Sequence, residues 1–167
     1  CADGVDNDCD GGPGPCQLSG LISLDDATGV VFGAQADDRL GLVAQSVGDT
    51  TGDGRDDLVI GIPRSDGATT DAGMAVVMAG PISGRASTDG AVASLIGEDI
   101  GDSAGMSVAG AGYVNGDILA DILVGAPGAT GIDTDAGRAY LVIGGVTGDF
   151  DLAESRTIFL GETFGDG

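Results

Sequence analysis

The feature that most constrains this chain is that it repeats itself. The stretch GDTTGDGRDDLVIGIP at 48–63 returns 64 residues later as GYVNGDILADILVGAP at 112–127. At that offset Gly41 meets Gly105, Asp53 meets Asp117, Asp57 meets Asp121, Gly61 meets Gly125 and Pro63 meets Pro127. TDAGMAVVMAG at 70–80 meets TDAGRAYLVIG at 134–144, and VFG, LIG and FLG fall in phase at 31–33, 95–97 and 159–161. No gap is needed. Two full units therefore run over 33–96 and 97–160, and 161–167 begins a third. A repeated unit of this length is one supersecondary element that buries its apolar faces only by stacking on its neighbours.

Each unit reads as four short strands. The spacing places them at 42–47, 57–62, 73–79 and 92–97 in the first unit, and at 106–111, 121–126, 137–143 and 156–161 in the second. Composition agrees: 33 Gly punctuate short apolar runs, and with four Phe, two Tyr and no Trp the core must be built from Ala, Val, Ile and Leu. The second strand of each unit, DLVIGI or DILVGA, is continuously apolar, as expected of a strand buried on both faces. The expected fold is all-β, with β-propeller-type blades of four antiparallel strands. The first 17 residues form a separate Cys/Asp-rich segment, and 18–32 are a connector that ends in a first strand.

The chain has no His and no Lys; its six basic residues are Arg39, Arg55, Arg64, Arg85, Arg138 and Arg156. That removes Ser-His-Asp and Cys-His catalysis, His-ligated zinc and Schiff-base lysines. Paired carboxylates survive as an acid-base option. With a formal charge of −21 and no basic patch, nucleic acid is not an expected partner. No apolar run reaches the 18 residues needed to span a bilayer. Without an initiator Met or signal peptide, the sequence reads as a processed or excised piece.

All but three of the 27 acids are Asp, the exceptions being Glu98, Glu154 and Glu162. Asp beside Gly and Asn is the chemistry of turns and of hard-cation ligands, although a halophile would show a similar charge balance. In the first unit Asp49, Thr51, Asp53 and Asp57 occupy ligand places one, three, five and nine of a calcium-type loop, with the Arg55 carbonyl at seven. In the second the same places hold Tyr113, Asn115, Asp117 and Asp121, with the Leu119 carbonyl, and Ile118 replaces Gly54. That loop has lost a carboxylate and should bind more weakly. The plainer reading of both is an Asp/Asn-capped turn. At the N-terminus Asp6, Asp8 and Asp10, with Asp3 nearby, write a D-x-D-x-D-G run that lacks an acid at the twelfth place. The three Cys suggest an oxidising, extracellular setting, and the odd number allows an intermolecular bond or a lipid anchor at Cys1.

FGAQADDRLGLVAQSVGDTTGDGRDDLVIGIP and its second-unit counterpart resemble FG-GAP repeats, the blades of the integrin α-subunit propeller and of many bacterial secreted proteins. That resemblance implies calcium in the loop between the first two strands of a blade. CADGVDNDCDGGPGPC is similar to the Cys/Asp-rich metal-binding motif of MopE-like bacterial surface proteins. It implies a Cys1–Cys9 disulfide, with Cys16 unpaired or intermolecular. The expected function is a non-enzymatic, calcium-stabilised extracellular or cell-surface module for structure or adhesion to a protein or glycan. It would be either part of a longer propeller or a subunit that self-associates blade to blade. The alternative is the accessory propeller of a secreted hydrolase whose catalytic domain lies elsewhere.

Overall fold

The computed structural model describes Asp25 and residues 27–163. It is all-β, and the eight expected strands form within two residues of their expected limits. In the first unit they are β2 (Ala44–Gly48), β3 (Asp57–Ile62), β4 (Met74–Met78) and β6 (Ala93–Ile96). In the second they are β7 (Ser107–Gly112), β8 (Asp121–Ala126), β9 (Arg138–Val142) and β11 (Thr157–Leu160). Within each unit the pairing is antiparallel throughout, in the orders β6-β4-β3-β2 and β11-β9-β8-β7. The register repeats with the sequence. Ile62 lies opposite Met74, and its 64-residue counterpart Ala126 lies opposite Arg138.

The connector ends in the expected first strand, β1 (Gly29–Phe32), while two strands were not legible in the pattern of four: β5 (Gly84–Ser87) and β10 (Gly148–Asp151). The chain between the third and fourth strands of a unit swings out and pairs, in parallel, with the outermost strand of the unit before it. Thus β10 lies along β6, with Gly148 against Ala93, and β5 lies along β1, with Gly84 against Gly29. GRAS and GDFD lack an apolar alternation, so only the partner strand reveals them. The Arg85 guanidinium sits 4.0 Å from the Phe32 ring centre, adding a cation–π contact across β1 and β5.

The period of two along each strand divides the apolar residues between two cores. Val59, Ala75, Val77 and Leu95 of the first blade face Ile122, Val124, Tyr140 and Val142 of the second, forming one core between the blades. Ile60, Ile62, Val76 and Met78 point the other way and pack with Val31, Leu40 and Ile82. Both faces of β3 and β4 are therefore covered, which is why their sequences are unbroken apolar runs. The outer face of the second blade, the counterpart of the face that carries Val59, Val77 and Leu95, carries Phe159, 54% exposed.

The blades are joined through backbone. Gly101, Ser103 and Ala104 donate N–H groups to the carbonyls of Thr70, Asp71 and Ala72, and Ala104 is fully buried. Gly105 follows at φ +80, so close to the first blade that a Cβ on it would lie 2.1 Å from the Met74 carbonyl oxygen. Gly61, in the middle of β3, faces it; a Cβ there would lie 2.0 Å from the Gly105 oxygen. Only two glycines allow this approach. Gly105→Ala should therefore cost about 3 kcal/mol, combining strain with a backbone clash. Gly116→Ala, at φ +81 in open space, should cost only about 1 kcal/mol. Urea midpoints of the two variants test this, and equal losses would show that the seat between the blades is not tight.

Candidate functional site

The two acidic loops lie between the first and second strands of their blades and are tied to each other. Asp49 and Thr50 carbonyls accept from Ala120 and Gly145 of the second blade at 2.8 and 2.7 Å. Leu119 packs beside Gly52. The spacing thus brings both loops to one end of the blade pair, as the repeat requires.

Within the first loop, Asp49, Asp53 and Asp57 are engaged by backbone. Asp49 Oδ1 accepts from the Gly52 and Asp53 N–H groups at 2.6 and 3.2 Å, and its Oδ2 from Gly54 at 2.8 Å. Asp53 accepts from the Arg55 N–H at 2.9 Å. Asp57 is 1% exposed. Its Oδ2 accepts from the Thr50 N–H, the Thr50 hydroxyl and the Thr51 N–H at 2.9, 2.7 and 3.0 Å, and its Oδ1 from Gly80 at 3.1 Å. Those four bonds use the acceptor sites of a carboxylate. Asp57, expected as the ninth-place ligand, is here a clasp that binds the loop to the start of β3 and to the turn after β4. By contrast Thr51, at place three, has a buried hydroxyl with no hydrogen-bond partner.

The second loop follows the same plan with fewer charges. Asp121 accepts from Val114 and Gly144 at 2.7 and 2.9 Å, repeating the clasp. Asn115 donates its side-chain amide to Asp117, whose own N–H returns to Asn115 Oδ1 at 3.0 Å, and Leu119 N–H bonds Asp117 at 2.8 Å. Tyr113 is exposed. Among the described residues no three acidic or thiol side chains gather into a metal cage. Asp3, Asp6, Asp8, Asp10, Cys1, Cys9 and Cys16 lie outside the described residues.

One polar cluster was not anticipated. Arg138 on β9 forks onto Glu98, with one guanidinium nitrogen 2.8 Å from each carboxylate oxygen, and the buried Tyr140 donates its hydroxyl to Glu98 at 2.8 Å. Burial and the Glu98 carboxylate push the Tyr140 phenol well above its usual range. Asp102, buried beside this cluster, accepts from the Asp99 N–H at 3.0 Å. Its counterpart in the first unit is Asp38, also buried. The matched pair Asp38/Asp102 was visible in the 64-residue alignment, but nothing in the sequence marked it as buried.

Burial alone would raise the Asp57 pKa. The bonds from Thr50, Gly80 and Thr51 outweigh it and leave the carboxyl below its ordinary value of 3.8. A depressed carboxyl contributes stability that is present above the unfolded-state pKa and is lost as pH falls through the folded one. Asp57→Ala leaves four donors unpaired and should cost about 3 kcal/mol at neutral pH. The gap between wild type and variant should narrow below about pH 4. Denaturant midpoints at pH 7 and pH 3 measure it, and a gap that does not change with pH refutes the clasp.

No curated protein matches the chain. Residues 46–78, which run from within β2 through the acidic loop to the last residue of β4, match the family model of the FG-GAP repeat.

Proposed function

We propose that the chain is a non-enzymatic extracellular module for structure or adhesion, stabilised by calcium, whose working unit is the stacked blade. FG-GAP repeats are typical of extracellular and surface proteins, and no helix among the described residues is long and apolar enough to cross a membrane. The observation that carries the reading is the joint between the blades. The face of the first blade that receives Ala104 and Gly105 has its counterpart on the second blade as an open apolar cavity of about 640 Å³, lined by Met106, Ala126, Pro127, Phe159 and Leu160. A further blade, of a longer propeller or of another copy, suits that surface by the same contacts. Such a surface is also a place where a protein or glycan ligand would meet the module.

The unpaired Thr51 hydroxyl supports a calcium role for the first loop. Asp49, Asp53 and the Arg55 carbonyl would supply the remaining oxygens, with Asp57 holding the loop in shape. The second loop, with Asn115, Asp117 and the Leu119 carbonyl as ligands and Asp121 holding it in shape, would bind more weakly.

Calcium at a hundred-fold excess over Kd adds about 2.7 kcal/mol to the folded state, which for a chain of this size is roughly 5–10 °C in Tm. Melts in chelator and across a calcium titration should show that rise, and Asp53→Ala should remove most of it. A melting temperature indifferent to calcium disproves the calcium part. Sedimentation velocity should show concentration-dependent association that Phe159→Glu weakens. Association unaffected by that change would place any self-contact elsewhere.

A further inference from the structure

The 64-residue offset gives each residue of the first blade a counterpart in the second, and outside the acidic loops their chemistry diverges beside the buried Asp38/Asp102 pair. Where the second blade has Glu98, Arg138 and Tyr140, the first has Ala34, Met74 and Val76; the buried Asp102 keeps its counterpart, Asp38. In the second blade Asp102 feels the positive charge of Arg138. In the first, the aspartate has remained, while both members of the ion pair beside it, Glu98 and Arg138, are absent.

A cavity of about 440 Å³ stands at this position, lined by Gln35, Asp38, Asp66, Met74, Val76 and Asp149 among others. Asp38 is 9% exposed and accepts no hydrogen bond on its carboxylate from any described residue. Burial, with the like charges of Asp66 and Asp37, makes its ionised form costly. The cavity sets Asp38, Asp66 and Asp149 against an aliphatic wall of Ile62, Met74 and Val76, a combination that suits a weakly hydrated cation carried on a carbon stem. In the second blade the corresponding space is filled by the Arg138 guanidinium on its short aliphatic chain, paired to Glu98. The volume is that of a small-molecule site.

We propose that the first-blade cavity binds a guanidinium carried on a short apolar stem, with Asp38 as its counter-charge and Ile62, Met74 and Val76 as the bed for the stem. The ligand is either a free alkylguanidinium or the arginine side chain of a polypeptide. The site does not depend on calcium, and it is completed by Asp149 of the second unit.

The test uses the intact chain, calorimetry, and the methyl resonance of Met74. Butylguanidinium should bind saturably and shift that methyl, and the neutral isostere butylurea should bind at least ten-fold more weakly. Asp38→Asn should abolish binding while melting no lower than wild type, because it removes a costly buried charge. Should that variant fail to fold, Ala34→Glu combined with Met74→Arg imports the second blade's own ion pair and should also abolish the calorimetric signal. Glu154→Gln, an exposed acid away from the cavity, should bind normally, which controls for the large net charge. N-acetylarginine amide distinguishes the sources: binding at least as tight as butylguanidinium assigns a polypeptide side chain, and its exclusion while butylguanidinium binds assigns a free small molecule. Equal binding of butylurea, binding retained in Asp38→Asn, or no saturable shift at Met74 overturns the proposal.

Discussion

The seating of Ala104 and Gly105 against the first blade is the contact on which the rest of this structure depends. It brings two sheets together through main chain, with Gly61 and Gly105 giving up their side chains so that carbonyls can approach. The apolar core between the blades closes because this approach sets their separation. Val59, Val77 and Leu95 reach Ile122, Val124 and Tyr140 only when the backbones are this near. A chain with so few aromatic residues has no large side chains with which to bridge a wider gap.

The second organising element is the clasp made by Asp57 and Asp121. Each stands at the first position of a buried strand, gathers the N–H groups of the loop before it, and reaches 23 residues forward to Gly80 or Gly144. A carboxylate buried in this way is held by its hydrogen bonds, four at Asp57 and two at Asp121. The loops are thereby held in one conformation before any cation is considered. Much of the acidity that suggests metal binding in the sequence is, at these two positions, hydrogen-bonding architecture. Asp49, Thr51 and Asp53 keep the capacity for more.

How much of this was legible follows from what repeats and what alternates. The four antiparallel strands of each blade were readable because DLVIGI and DILVGA are apolar without interruption and lie between glycine turns at one offset. The parallel strands β5 and β10 were not, since GRAS and GDFD acquire strand character only from the edge they join. The loop acids were found by spacing, but spacing could not tell Asp57, turned inward to four donors, from Asp53, turned outward. The Glu98, Arg138 and Tyr140 cluster was hidden for another reason: it lies where the two units differ, while attention to a repeat falls on where they agree.

The loan of β10 to β6 gives the molecule a dependence on the order in which it is made. The first blade's last strand is complete at Ile96, but the strand that covers its outer edge ends at Asp151. At ribosomal rates of about 5–20 residues per second, that edge waits roughly 3–10 s for its cover. During that interval it is an unpaired β-edge, open to any neighbouring nascent chain. Each blade is thus finished by its successor, and a pause in translation between the two would fall on the chain at its most adhesive moment.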